Sequence, residues 1–307
     1  MISFPAMSRS PCLPASVQNF TIVTPVLDGW PRICATVASV AAQNADSGRG
    51  MFSARHIIQL SSRSTDASRE WLEKHVRAAA PCFTLREADD GGLYNAIALG
   101  FAPSTVSSPR DILGWLNSDE QYLPGALERV AHAFATRPDI DIVFGDYLVL
   151  NAEGVPVSAR RALPARLWYL RNATNYIFSC TTFFRRALWE SLGGFNPTYR
   201  RVADKEFYLR ALLRKAQFLH IPDYLAAYTT TGHNASLDAA GRAEPMALRT
   251  QFGIPQSPIR RSLPRLCRNL EKALRGAYFP RRVQTTLFDN TGTPFPFADR
   301  LSPFWKW

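Results

Sequence analysis

The sequence predicts an α/β protein with a Rossmann-like, mostly parallel central sheet and helices on both faces. A smaller antiparallel portion and a basic C-terminal extension follow it. Three observations lead there. Short β-branched and apolar runs alternate with segments whose apolar residues recur at three- and four-residue steps, from Phe20 to about Asp146. The connections between them are short, which suits β-α-β units and a parallel sheet. After Asp146 the rhythm changes to strand, tight turn, strand, which brings antiparallel pairing.

Taken in order, residues 1–19 read as an irregular leader rich in Ser and Pro. Phe20–Thr24 (FTIVT) is a buried first strand ending at Pro25. Asp28-Gly29 and Pro31 open a helix that turns Ile33, Val37, Val40 and Ala41 inward. His56–Leu60 is the second strand, followed by the polar turn Ser61–Ser64, then a helix carrying Trp71, Leu72 and Val76. Phe83–Arg86 is a third strand, and Leu93, Ile97 and Phe101 mark a short helix. Ile112–Leu116 is a strand, Asn117–Glu120 an acidic turn, and Leu123–Phe134 a helix with Pro124 in its first turn. Ile140–Phe144 is a strand closed by Gly145-Asp146. A hairpin spans Tyr147–Leu150 and Val155–Val157, and Pro164–Asn172 reads as helical. Phe178–Phe184 is a strand leading into a helix over Ala187–Leu192 that stops at Gly193-Gly194. Asp204–Lys215 is a helix, Phe218–Ile221 and Tyr224–Tyr228 are short strands, and Leu266–Ala277 is the one helix expected beyond Glu244.

At 307 residues and 46% hydrophobic, the chain buries enough surface for one large domain plus an extension. The expected division is a domain over 20–243, split into 20–146 and 147–243, with an extension over 244–307. From Arg249 onward eleven basic residues face three acidic ones, so +8 of the net +11 belongs to the tail. Five scattered cysteines without a CxxC pair argue for a reducing, cytoplasmic compartment, and against a disulfide framework or a zinc site. The first twenty residues, with three prolines and no continuous apolar stretch, do not read as a secretory signal. No run of apolar residues is long enough to span a bilayer, so an integral membrane protein is not expected. The body carries no nucleic-acid motif, so a nucleic-acid partner is not expected.

The acidic turn is the centre of the functional reading. In open α/β sheets ligands bind outside the carboxyl ends of strands, where Asp119 and Glu120 fall. A hard divalent cation takes carboxylate oxygens and shares them with substrate phosphates. An isolated acidic pair is better explained as negative charge at a helix N-terminus, worth about 0.3–1 kcal/mol.

Five stretches in order reverse those odds: FTIVTPVLDG, HIIQLSSRSTDAS, ADDGGLYNAIALGF, GWLNSDEQYLPGAL and LGGFNPTYRRVADKEFYLR. From about Phe20 to Asp238 the chain resembles the nucleotide-sugar glycosyltransferases of family 2, which have the GT-A fold. The resemblance implies transfer of a sugar from a nucleoside diphosphate, most often a UDP-sugar, with Mg²⁺ or Mn²⁺ and inversion of the anomeric centre. It puts Thr24, Pro25 and Asp28 in the first nucleotide-contacting loop, and Ser61, Ser62 and Asp66 in the segment that holds the base. Asp90 and Asn95 fall near the ribose and donor sugar. Asn117, Ser118 and Asp119 stand at the DxD-type position, with Asp119 as metal ligand. His233 matches a late diphosphate or metal contact, and Asp204 matches the catalytic base. Ser61, Asn95 and Glu120 replace residues that the family more often fills with Asp or another acid. The resemblance further implies a glycan or lipid-linked acceptor, as in surface polysaccharide assembly. The alternative is a catalytically weak or inactive protein that binds a nucleotide sugar on the same fold.

Two side questions stay open at this level. Asp204 at a helix start is also a favoured cap. The basic, aromatic tail ending PFPFADRLSPFWKW fits either an anionic membrane surface reached through Trp305 and Trp307, or a segment folded back on the body.

Overall fold

Strand β1 (Gln18–Val26) lies between β2 (Phe52–Ser61) and β4 (Ile112–Trp115), parallel to both, and β2 pairs in parallel with β3 (Phe83–Ala88). The computed structural model describes residues 17–45, 50–76, 83–89, 91–103, 107–172, 174–230, 239–255, 257 and 259–304. Between these strands run α1 (Ile33–Ala45), α2 (Ser68–Val76) and α3 (Leu93–Phe101). Alternate β1 residues serve opposite faces, as the period of two requires. Phe20 and Ile22 join Val40 of α1 in one core, whereas Val23 packs with Ile97 and Phe101 of α3 in another. Gly100 lets α3 close on β1: a Cβ there would stand 2.5 Å from Val23 Cγ1.

Beyond β4 the sheet changes character. The short β5 (Glu120–Tyr122) precedes α4 (Ala126–Thr136), and β6 (Ile142–Leu150) turns into β7 (Pro156–Arg160). Helix α5 (Leu167–Asn172) and a 3₁₀ turn, Ser179–Thr181, lead to β8 (Thr182–Arg185). Then come α6 (Arg186–Leu192), α7 (Ala203–Leu213) and β9 (Phe218–Thr229). The strand order is β3-β2-β1-β4-β8-β6-β9-β5, with β7 beside β6. Strand β8 runs antiparallel to both β4 and β6, while β6 and β9 are parallel. This is the mixed α/β architecture that the sequence predicts, a parallel half grafted onto an antiparallel one.

Several local expectations are corrected. Strand β1 runs through Pro25 rather than ending there. The acidic turn leads into β5, not directly into a helix, because Glu120–Tyr122 pairs with Ala226–Tyr228 of β9. Pro124 consequently precedes α4, whose N-cap is Gly125. Gly145-Asp146 does not close a strand: β6 continues through them to Leu150, accommodated by register shifts against β9. Of the 178–184 run only the last three residues belong to a strand, β8, which begins at Thr182. The two short strands expected over 218–228 are one strand with a bulge.

Beyond residue 238, α8 (Ala239–Gln251), α9 (Ser262–Leu274) and a β10 (Arg281–Phe288)/β11 (Pro294–Leu301) hairpin form, of which only α9 was expected. Val283, Leu287 and Leu301 share a core with Leu148, Leu150 and Ala227. Gln121 donates to the Phe288 carbonyl at 3.1 Å and accepts from its N–H at 2.8 Å, extending the pairing as a strand neighbour would. Ser302 accepts from Ala159 N at 3.0 Å. The described part of the tail is therefore folded back on the body. No helix among the described residues is long and apolar enough to cross a membrane.

An aromatic chain carries the parallel half into the site. Trp115 of β4 meets Phe195 edge-on at 5.5 Å, and Phe195 meets Phe207 of α7 at 5.7 Å. Such pairs add about 0.5–1.5 kcal/mol beyond area burial. They seat the start of α7 against the carboxyl edge of the sheet.

Candidate active site

Four loops converge at the carboxyl ends of the parallel strands, around a cavity of about 380 Å³. Pro25 and Leu27 come from the end of β1 and its loop, Arg63 from the loop after β2, Gly91 and Gly92 from that after β3, and Asn117 and Ser118 from that after β4. Arg200 and Arg201 close it from the segment before α7. Three arginines about one crevice suit an anionic ligand, since guanidinium groups recognise phosphates in forked geometry.

Two aspartates brace the crevice. Asp28 sits in the left-handed region at φ 51°, a conformation that Asp tolerates better than most residues. Its Oδ1 accepts from Thr65 N at 2.7 Å and Asp66 N at 3.2 Å, tying the β1–α1 loop to the β2–α2 loop. Asp66 accepts from Trp30 N at 2.7 Å and from Ser68 N, at the start of α2, at 2.9 Å. Burial raises the Asp66 carboxyl, but the hydrogen bonds from Ser68, Trp30 and Ser64 outweigh it and hold the group below its ordinary range. Gly29 touches the acidic turn: a Cβ there would stand 2.9 Å from Ser118 Cβ. Thr24, expected on the loop, lies in β1, fully buried, with its hydroxyl 2.8 Å from His56 Nε2. Ser61 is likewise fully buried, whereas Ser62 is exposed. Asn95 lines a neighbouring cavity of about 190 Å³ with Gly91, Gly92 and Tyr94.

The acidic turn is held by its own backbone. Glu120 is buried and accepts from Asn117 N at 2.7 Å, while Thr36 of α1 donates to the Glu120 carbonyl at 2.7 Å. Burial pushes the Asp119 carboxyl up, against its own backbone hydrogen bond and the charge of Arg32. Glu120 is raised by burial and then by the charge of Asp119. Asn117 Oδ1 is buried without a hydrogen-bond partner. Asn117 lines the crevice, whereas Asp119 and Glu120 line a separate cavity of about 180 Å³ with Arg32, Glu153 and Asp289. An orphaned amide oxygen and a carboxylate two residues on are the oxygen donors that a hard divalent cation takes. Among the described residues, no three His, Cys, Asp or Glu side chains gather to hold a metal by themselves. Substrate oxygens would have to complete such a shell.

Asp204 lies in the first turn of α7, whose N-cap is Val202, so it is not the cap. Asn175 donates to its Oδ2 at 3.1 Å, and the Tyr94 hydroxyl also hydrogen-bonds its carboxylate. Burial raises Asp204 above the ordinary aspartate range, against hydrogen bonds from Lys205 N and Tyr94. Its charge bears on Glu120, and the buried Tyr208 feels both Asp204 and Glu120. The acidic turn and Asp204, far apart in sequence, thus belong to one electrostatic neighbourhood. Glu244 of α8 accepts from three successive N–H groups, those of Arg200, Arg201 and Val202, at 2.8, 2.7 and 3.3 Å. It fixes the approach to α7.

Asp90 and His233 lie outside the described residues. Sequence reasoning passed over Tyr94, Asn175 and Glu244. Tyr94 stood inside a quoted stretch, two positions from the glycine pair, but nothing in sequence links Asn175 or Glu244 to Asp204.

The sequence profile described as "Glycosyl transferase family 2" matches residues 21–192, more than half of the chain. Among solved structures, S. aureus TarS 1-349 aligns at 17% identity and TM-score 0.53, covering 69% of this chain and 60% of that one. The same protein in complex with UDP aligns at 17% and 0.56, covering 84% and 72%. A further TarS structure aligns at 15% and 0.54, covering 91% and 60%. The chain thus spans 60% to 72% of these relatives' lengths, and the likeness is one of fold. No curated protein matches it in sequence.

Proposed function

The chain belongs to Glycosyl transferase family 2, and from that premise we propose that it is an inverting, metal-dependent glycosyltransferase using a nucleoside-diphosphate sugar. What supports this reading is that Asn117–Glu120 and Asp204, from separate halves of the chain, lie near enough for the charge of Asp204 to bear on the buried Glu120.

In this reading the nucleotide and diphosphate occupy the crevice between the β1, β2, β3 and β4 loops, with Arg63, Arg200 and Arg201 facing the anion. UDP bound to S. aureus TarS supports a uridine nucleotide as the first donor to test. In this reading Asp119 and Asn117 Oδ1 would hold Mg²⁺ or Mn²⁺, which would supply Lewis-acid relief of the charge gathering on the departing diphosphate. Asp204 takes the proton from the acceptor hydroxyl as that oxygen bonds to the anomeric carbon. The bond to the diphosphate breaks, its electron pair leaves on the nucleotide, and a single displacement inverts the centre. A base whose pKa is raised toward the working pH is the better proton acceptor, and such groups contribute about 10²- to 10⁴-fold.

The acceptor in this reading is a glycan or lipid-linked hydroxyl, with the enzyme at an anionic membrane surface. Helix α9 supports that setting. Leu263, Leu266, Leu270 and Leu274 are all exposed along it and Ile259, just before it, is 82% exposed, with exposed Arg260 and Arg275 at its two ends. A basic amphipathic helix of this kind lies in the interface plane. The residues that first suggested this, Trp305 and Trp307, fall outside the described part. Co-sedimentation with phosphatidylglycerol vesicles, lost in Leu266→Glu/Leu270→Glu, tests it.

The donor assignment is tested by thermal shift with a panel of nucleotide sugars and Mn²⁺. A ligand at 100 times its Kd stabilises the native state by about 2.7 kcal/mol. Release of nucleoside diphosphate, abolished by EDTA, separates an enzyme from an inactive nucleotide-sugar binder. A panel in which no nucleotide sugar raises the midpoint sinks the reading.

A further inference from the structure

Another cavity of about 200 Å³, sharing no lining residue with the donor crevice, lies between α5, α7, α8 and the start of α9. Its walls hold four basic side chains, Arg171, Lys205, Arg249 and Arg261, and no acidic one among the described lining residues. Asn175 lines it as well and donates to Asp204 Oδ2 at 3.1 Å, so the cavity opens beside the carboxylate assigned as base.

The four cations are positioned rather than splayed into solvent. Arg171 is anchored by donating to the Gly253 carbonyl at 3.1 Å, Arg249 donates to Met246 Sδ at 3.9 Å, and Arg261, at the N-cap position of α9, is only 8% exposed. Burial depresses the Lys205 ammonium to about 8, against the pull of Asp204 and with the push of Arg249 and Arg261. Like charges gathered about one concavity repel one another, and in a partly desolvated site the repulsion is not screened away. An entering phosphoryl dianion reverses that sign and meets the forked donors that arginine presents.

We propose that this cavity binds a phosphoryl group of the acceptor and thereby holds the acceptor hydroxyl at Asp204. The proposal deepens the transferase reading and rests on it for the word acceptor, but phosphate binding here is independent of the donor crevice. It narrows the acceptor class to phosphorylated compounds, whether the phosphate is free in solution on a polyol or carried on a lipid. Neutral glycans fall outside it.

The test uses the full chain and the variant Arg171→Gln/Arg249→Gln, with Arg171→Lys/Arg249→Lys as the charge-preserving control. Binding of inorganic phosphate and of glycerol 1-phosphate is followed by calorimetric titration, with the donor nucleotide titrated separately. The expected result is phosphate binding by the parent, at least tenfold weaker binding in the Gln pair, recovery in the Lys pair, and unchanged nucleotide affinity in all three. Loss of nucleotide binding by the parent, with phosphate binding intact, would break the transferase reading and leave the anion site standing. Vesicles of phosphatidic acid in phosphatidylcholine distinguish the sources: the Gln pair loses vesicle binding if the phosphate arrives on a lipid, and loses only glycerol 1-phosphate if it arrives free. A Gln pair that matches the parent in both arms, or a parent that binds neither probe, overturns the proposal.

Discussion

The two halves of the sheet treat their carboxylates in opposite ways. In the parallel half Asp28 and Asp66 are saturated by backbone N–H groups, and hydrogen bonding holds Asp66 below its ordinary range. At the seam with the antiparallel half, Glu120 and Asp204 are raised by burial, and Asp119 with them. The first pair stabilises loops, while the second group stands in a state that a cation or a proton would relieve. Perturbed groups of the second kind mark functional sites more often than braced ones do.

The contrast is broken most directly at Asp204. Asp204→Asn is expected to lower transfer by about 10²- to 10⁴-fold, read as kcat. Its thermal midpoint at pH 7 should not fall, because the folded state binds that proton more tightly than the unfolded chain and gains nothing from ionising it. For the same reason the acid limb of the parent's rate should lie above the ordinary aspartate range, with activity rising as pH climbs through it.

His56 supplies the next largest effect, and it lies in the parallel half. Burial lowers its pKa to about 3, with Thr24 at 2.8 Å. The unfolded chain therefore binds the proton first. Stability should fall by about 1.4 kcal/mol for each pH unit below about 6.5, down to the folded value. Urea midpoints between pH 4 and 7 measure this, and His56→Gln should flatten the slope.

Asp28→Ala removes the acceptor for Thr65 and Asp66 N–H groups and should cost about 1–3 kcal/mol. Under the proposal that the loops it joins hold the donor, its KM should rise while kcat stays near the parent's, the reverse of Asp204→Asn. Gly29→Ala, which drives a Cβ to 2.9 Å from Ser118 Cβ, should cost a similar amount, about 1–3 kcal/mol. The smallest effect is expected for Gln121→Ala. Loss of its two bonds to Phe288 should cost about 1–2 kcal/mol and raise amide exchange in β10 without altering kcat.

Much of the fold was readable locally. Leu93–Phe101 and the Gly193 helix stop fall where periodicity and a left-handed glycine put them. The failures share a cause. Strand β5 is three residues long and exists only through its pairing with β9, so no local pattern announces it. Strand β6 runs on through Gly145-Asp146 because β9 beside it absorbs the irregularity, and β10 and β11 are defined by each other. Tyr94, Asn175 and Glu244 reach the Asp204 region only by folding.

The sequence by itself determined the alternation of elements and the family, because each is written in neighbouring residues. Only the tertiary structure decided which carboxylates are braced and which are raised, and that four cations from α5, α7, α8 and α9 share a wall. Burial and charge proximity set those properties, and both are sums over residues that are near in space and far apart along the chain.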